Sequence, residues 1–220
     1  MDTVAEHFGV APAQVERDHL VSHVLAAIAR AVRTDDVVFF GGTALSRTHL
    51  RDVRLSEDID LLATGDHATV ARAIELGARR LRRTHGTVTF NPSLTAARGS
   101  ESSVLRTDGG LSVRIQLLHR EGYPHWPTEV LDIDQRYSDA PPARLRVLTA
   151  AAFGAAKLSA WLDRHASRDL YDLYAMAQRH LITAESVGLF TQHGPQTHLP
   201  GDWAWSKVPN PDQWRIDLGH

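Results

Sequence analysis

The stretch from residue 37 to 62 constrains the fold more than any other part of the chain. Val37-Val38-Phe39-Phe40 has the β-branched and aromatic composition of a short buried strand. Gly41-Gly42 stops that strand, and Thr43 to Leu50 reads as a helix opening directly after the glycines. Arg54 to Leu62 reads as a second strand, carrying Asp58-Ile59-Asp60. Residues i and i+2 of a strand point to one face, about 6.6 Å apart along the chain. Asp58 and Asp60 therefore project together, while Ile59 and Leu61 face the core. Two carboxylates so placed repel unless a cation compensates them or one takes up a proton. Oxygen-only donors suit Mg²⁺, which uses one or two carboxylates and draws its other ligands from water and substrate phosphates. Gly41-Gly42 lets backbone approach a ligand closely, and the helix start offers N–H groups to an anion, with Thr43 or Ser46 adding a hydroxyl. A phosphate cradle facing a metal-binding acid pair is what phosphoryl or nucleotidyl transfer requires. Each part alone has a plainer reading, the glycines as a turn and the acids as a solvated strand edge. Their order and spacing favour the functional one.

The flanking segments read as α+β. Glu16 to Val32 places Leu20, Val21, Val24, Leu25 and Ile28 on one helical face. His67 to Arg83 is an amphipathic helix with Val70, Ile74 and Leu81 inward and Arg79, Arg80, Arg82 and Arg83 outward. Thr87–Phe90 and Ser112–His119 read as strands, with Asp108-Gly109-Gly110 a hairpin turn before the latter. The Pro-containing stretch 123–142 is the best boundary, giving domains 1–140 and 141–220. Asp132 and Asp134 lie in that connection without a glycine loop, and a structural role is expected for them. The tail from Gln192 carries Trp203, Trp205 and Trp214, enough apolar surface that it should pack back onto the body.

The second domain begins as Ala-rich helix, Thr149 to about His165, followed by a helix from Arg168 to His180. On one straight helix Lys157 and Asp172 would stand about 22 Å apart. Ala166-Ser167 interrupts the pattern, with Ser167 a suitable N-cap, so the two helices can fold into a hairpin that brings Lys157 near Asp172. Only two of the 24 basic residues are lysines, Lys157 and Lys207, and Lys157 has apolar neighbours. Its ammonium is expected to emerge into a groove, where a compact point charge suits a triphosphate. The plainer reading is a snorkelling lysine among structural Arg–Asp pairs. Asp169 is expected to balance Arg168 or the helix N-terminus.

The chain has no cysteine, which excludes disulfides, a cysteine nucleophile and a thiolate zinc site. Residues 1–10 lack the pattern of a signal peptide and no run of 18 apolar residues occurs, so a cytoplasmic protein with no membrane partner is expected. His7, His19 and His23 lack a recognisable metal-ligand set and receive no role.

Gly41-Gly42-Thr43-Ala44-Leu45-Ser46, then Ser56-Glu57-Asp58-Ile59-Asp60-Leu61, then Lys157 with Arg164 and Arg168-Asp169-Leu170-Tyr171-Asp172-Leu173, resembles the AbiEii/AbiGii toxin family, which includes MenT-like toxins. The lead-in Val15-Glu16-Arg17-Asp18-His19 fits as well, and the resemblance spans roughly residues 15–180. It implies a nucleotidyltransferase-fold mixed sheet with flanking helices, then a helical C-terminal domain, with the active site between them. It implies a toxin of a toxin–antitoxin system that adds nucleotides from an NTP to the 3′ end of tRNA, blocking translation. The cognate antitoxin would be AbiEi-like or kinase-like. By position, Asp58 and Asp60 would hold Mg²⁺, with Mn²⁺ as a substitute. Gly41, Gly42, Thr43, Ser46, Arg47 and Ser56 would line the phosphate site, Lys157 would contact the triphosphate, and Asp172 would complete the catalytic set. Arg47 and Arg54 either neutralise phosphate or brace the loop.

One departure stands out. Where many nucleotidyltransferases carry a third carboxylate, this chain has Gln116, which offers an oxygen but no charge and no base at pH 7. Either one metal suffices, or Asp172 supplies base or charge, or activity is reduced. A tRNA partner needs a basic surface. The net charge of −2 leaves only local patches, of which Arg79, Arg80, Arg82 and Arg83 are the candidate tRNA contacts. Two other readings stand beside this one: transfer to a small molecule or protein, and a catalytically weak nucleotide-binding interaction module.

Overall fold

The computed structural model describes residues 1–206 and 208–218, so Lys207 lies outside the described residues. The chain divides into two compact units. The first is residues 1–123 with 129–147, and the second is residues 124–128 with 148–220. The sequence boundary at 140 falls seven residues short of this division, because a last strand, Ala143–Leu148, joins the sheet of the first unit.

That sheet is mixed and seven-stranded. Its strands are β1 (Val37–Phe40), β2 (Ile59–Ala63), β3 (Val88–Asn91), β4 (Ser103–Thr107), β5 (Ser112–Leu118), β6 (Thr128–Ile133) and β7 (Ala143–Leu148), in the order β3-β4-β5-β2-β1-β7-β6. β1 runs antiparallel to β2 and parallel to β7, and β2 runs parallel to β5. The three innermost strands carry the apolar runs: Val37, Phe39, Ile59, Leu61 and Ile115 are fully buried. β4, β6 and β7 are strands that the sequence reading leaves unassigned; β3 and β5 fall where it puts them, within a residue.

Around the sheet lie α1 (Asp2–Phe8), α2 (Pro12–Ala31), α3 (Gly41–Ser46), α4 (His67–Ala78) and α5 (Arg82–His85). α2 starts with Pro at its first turn, where the missing N–H costs nothing. Asp66 caps α4 by accepting from the Thr69 N–H at 2.8 Å. The expected helix 67–83 is broken into α4, a 3₁₀ turn (Arg79–Leu81) and α5, but Val70, Ile74 and Leu81 face inward as expected.

Arg47, expected at the phosphate site, is instead the buried clasp of this unit, fully excluded from solvent. Its Nη2 meets Asp18 Oδ1 at 2.8 Å, and Nη1 donates to Ser22 Oγ at 2.8 Å and to the Asp134 carbonyl at 2.7 Å. Arg136 and the Tyr137 hydroxyl reach the same Asp18 carboxylate at 3.0 and 2.9 Å. Burial lowers the Arg47 pKa to about 10, and the Asp18 charge works against that fall. Its two Nη groups are spent on α2 and on the segment after β6, and the side chain is fully buried, so it is not placed to meet a nucleotide. Asp132 and Asp134 carry the structural roles expected of them, facing Arg144 and Arg136 at 3.8 and 3.6 Å.

The second unit contains α6 (Ala150–Arg164), α7 (Ser167–Gln178), α8 (Ala184–His193), a 3₁₀ turn (Asp202–Trp205) and α9 (Pro211–Leu218). Thr149 caps α6 through the Ala152 N–H. His165, in the left-handed conformation at φ 50°, ends that helix, so α6 and α7 form the expected hairpin. α7 starts one residue early: Ala166 occupies the cap position and Ser167 is the first helical residue. The tail does dock, but not through three buried indoles. Trp203 and Trp205 remain largely exposed, while the buried Trp161 indole donates to the Ala204 carbonyl at 3.0 Å and Arg168 donates to the Asp217 carbonyl at 2.8 Å.

Arg47→Met leaves part of the Asp18 charge uncompensated in the core. It should cost about 3–5 kcal/mol in urea unfolding. Arg17→Ala, which breaks a surface pair with Glu57, should change stability by about 0–1 kcal/mol.

Candidate active site

The glycine turn and the acid pair meet because β1 and β2 are antiparallel neighbours. Phe40 pairs with Asp60, so the chain leaving β1 at Gly41 passes directly over the Asp60 side chain. Gly41 has φ +76°, and a Cβ built there would lie 2.9 Å from Asp60 Cγ, closer than real Cβ atoms come. Both facts require glycine. A Cβ at Gly42 would in turn lie 2.9 Å from Arg54 Nη2 and 3.1 Å from Ser56 Oγ. The backbone turn is thus wedged between Asp60 on one side and Arg54 with Ser56 on the other.

Asp58 immediately precedes β2, and the segment 54–58 is extended loop rather than the strand expected there. The alternation still holds: Ile59 and Leu61 are fully buried, while Asp58 and Asp60 are partly exposed. Arg114 Nε lies 3.6 Å from Asp58 Oδ1. Across the parallel β2–β5 ladder, Asp60 pairs with Gln116. The Gln116 amide donates to the Ser100 carbonyl, tethering that loop to the sheet beside the acid pair.

The hydroxyls expected to cradle phosphate are committed elsewhere. Thr43 is buried, and its hydroxyl donates to the Asp58 carbonyl and lies 2.9 Å from Ser56 Oγ, a hydroxyl that can donate in return. Ser46 is buried too, donating to the Thr43 carbonyl at 3.2 Å. Thr43 therefore acts as a brace that holds Ser56 and Asp58 against α3. With six residues, α3 has little macrodipole, and Gly41 and Gly42 open it.

The second unit holds a separate ionic cluster. Lys157 Nζ lies 2.9 Å from Asp169 Oδ1 and 2.6 Å from Asp172 Oδ2, and its side chain is 8% exposed. Arg164 forks onto the other side of Asp169, with Nε 2.6 Å from Oδ2 and Nη2 3.0 Å from Oδ1. Burial raises the Asp169 carboxyl, but the Arg164 hydrogen bonds and the Lys157 charge outweigh it and hold Asp169 below its usual value. The expected approach of Lys157 to Asp172 is present. The expected groove is not, since the ammonium is enclosed between two carboxylates; Asp169 lies in the first turn of α7, as one of its two expected roles has it, and its carboxylate meets Lys157 and Arg164.

A family model described as nucleotidyl transferase AbiEii toxin, type IV TA system, matches residues 23–213. The chain belongs to this AbiEii toxin family. No curated protein matches it in sequence. Among solved structures it is similar to an antigenic nucleotidyltransferase-like protein from Paracoccidioides brasiliensis, at 19% identity and TM-score 0.43, covering 74% of this chain and 77% of that one. It is also similar to terminal uridylyl transferase 4 from Trypanosoma brucei with bound GTP, at 13% identity and TM-score 0.30, covering 94% and 70%. TM-scores below 0.5 mark partial likeness, and the family membership rests on the sequence match. The mixed sheet with flanking helices is accordingly a nucleotidyltransferase fold.

In this AbiEii chain the first unit brings together Gly41, Gly42, Ser56, Asp58 and Asp60. Arg79, Arg80, Arg82 and Arg83 are exposed and line, with Arg30, a cavity of about 890 Å³ in the same unit. Arg30 and Arg114 were not singled out by sequence, because each looks like one more surface arginine until its neighbours are known. No helix among the described residues is long and apolar enough to cross a membrane.

Lys157→Ala leaves two buried carboxylates facing one another and should destabilise the protein by about 3–5 kcal/mol in urea unfolding. Because Asp169 lies below its usual value, this cluster contributes stability above the unfolded carboxyl pKa and loses it as pH falls through the folded one. The unfolding midpoint of the parent should therefore drop in acid, below about pH 4, and that of Asp169→Asn should drop less.

Proposed function

We propose that the chain transfers a nucleotidyl group from an NTP to the 3′ end of a tRNA, and that this modification is the toxic act of an AbiEii toxin. The observation that carries the reading is the Gly41 backbone lying against Asp60, with a second partly exposed carboxylate, Asp58, just before β2. Two partly exposed carboxylates with no other acid interposed form an oxygen donor set of the kind Mg²⁺ takes, with Mn²⁺ a substitute. When bound, the ion would neutralise charge building on the phosphates. Asp58 and Asp60 would hold it. The N–H groups of the Gly41-Gly42 turn would orient the triphosphate, and Arg54 over Gly42 would offset its charge.

In the transfer, the acceptor 3′-oxygen bonds to the α-phosphorus, pyrophosphate leaves, and the hydroxyl proton is released. Gln116 cannot take that proton at pH 7, so it passes to solvent. Lys157 and Asp172 are proposed for the same reaction on the family pattern alone. The Arg79–Arg83 surface supports an RNA acceptor, since phosphate contacts supply most non-specific affinity. The antitoxin would be the protein that suppresses this activity in the cell.

The test supplies labelled NTPs, Mg²⁺ and total tRNA. Label should reach tRNA, and Asp60→Ala should reduce it by roughly 10²–10³-fold, the loss of several kcal/mol of charge stabilisation. Arg82→Glu with Arg83→Glu should weaken tRNA binding and spare NTP binding. Label on protein or a small molecule instead would change the acceptor. NTP binding with no transfer would favour a binding module, with Gln116 as its physical cause.

A further inference from the structure

His19, His23 and His85 converge within the first unit. Successive turns of α2 carry His19 and His23, and α5 carries His85. Each offers a ring nitrogen, and the three nitrogens lie within 4.8 Å of one another. His19 Nδ1 and His85 Nε2 are 3.4 Å apart. Nitrogens around a tetrahedral Zn²⁺, at about 2.0–2.1 Å from the ion, stand roughly 3.3–3.4 Å from each other. His23 is 5% exposed, and its Nε2 is buried with no hydrogen-bond partner. A buried ring nitrogen without a hydrogen bond is costly unless something binds it, and the carboxylate nearest His23 Nε2 is that of Asp139. Asp139 completes the set: its Oδ2 lies 2.9 Å from His19 Nε2 and 3.4 Å from His23 Nε2.

We propose that His19, His23 and His85 bind a borderline divalent metal, Zn²⁺ foremost, with Asp139 as the carboxylate that orients His19. His19 ligates through Nδ1 while its Nε2–H donates to Asp139, an arrangement that fixes the tautomer and raises ligand basicity. His85 and His23 ligate through Nε2. Three imidazoles and no thiolate select Zn²⁺, Co²⁺ or Ni²⁺ over Mg²⁺, so this centre is chemically distinct from the oxygen site of Asp58 and Asp60. His23 and Asp139 also line the 890 Å³ cavity with its five arginines. The arginines work against a dication there, and Asp139 is the group that offsets them.

The experiment uses the full chain without a polyhistidine tag, stripped with chelator. ZnCl₂ is titrated by calorimetry, and Co²⁺ by the visible bands of its tetrahedral form. One Zn²⁺ per chain is expected in the parent and equally in Asp58→Asn with Asp60→Asn. Asp139→Asn should bind about 10–100-fold more weakly, and His85→Ala should lose the site. Asp139 is exposed, so its variant decides the matter even if His85→Ala fails to fold. No stoichiometric Zn²⁺ binding in the parent, or an affinity unchanged in Asp139→Asn and His85→Ala, overturns the proposal and leaves three imidazoles packed against one another. Failure here leaves nucleotidyl transfer untouched, because the Asp58–Asp60 variant separates the two sites.

Discussion

Antiparallel pairing of β1 with β2 forces the backbone at Gly41 into the space beside the Asp60 carboxylate, and the geometry of the acid site follows from that contact. The φ of +76° and the missing Cβ are needed together, one to turn the chain and the other to avoid collision. Thr43 then locks the far side by bonding Ser56 and Asp58. The acid pair is thus held by a strand, a turn and a buried hydroxyl, a support of the kind that the proposed metal–phosphate site needs.

Each unit has its own buried ionic cluster, and the two explain the use of arginine and lysine. At Asp18 the cation is Arg47, whose planar fork reaches a carboxylate, a hydroxyl and a backbone carbonyl at once. Lys157 does the opposite, since a single ammonium fits between two carboxylates at 2.9 and 2.6 Å where a guanidinium would be too broad. An arginine-rich chain keeps a lysine here for shape as much as for charge.

The glycine turn, the acid pair, the inner strands and the α6–α7 hairpin were legible because each is a local pattern: an apolar run, a breaker, an i/i+2 alternation, a cap. Of the two roles the sequence leaves open for Arg47, bracing and phosphate contact, the structure shows the bracing one, for a physical reason. It sits one residue past the motif, and sequence gives no sign that its partner Asp18, 29 residues earlier, is buried against it. Thr43 and Ser46 were assigned to phosphate because hydroxyls near a glycine turn look available, and burial spends them internally. β4, β6 and β7 are short or lie beside prolines, so their pairing is decided by the sheet rather than by their own composition. The histidine cluster shows the same limit: His19 and His23 are four apart on α2, a visible signal, but His85 lies 66 residues beyond His19.

The central claim is that the Gly41 contact positions Asp60 to hold a metal with its nucleotide. Its most direct test measures Mn²⁺-dependent binding of a non-hydrolysable NTP to the parent and to Gly41→Ala, with folding of both checked by unfolding midpoint. The account predicts that a folded Gly41→Ala loses Mn²⁺-dependent binding, because its methyl displaces the Asp60 carboxylate. A folded variant that binds the Mn²⁺–nucleotide as tightly as the parent would contradict it.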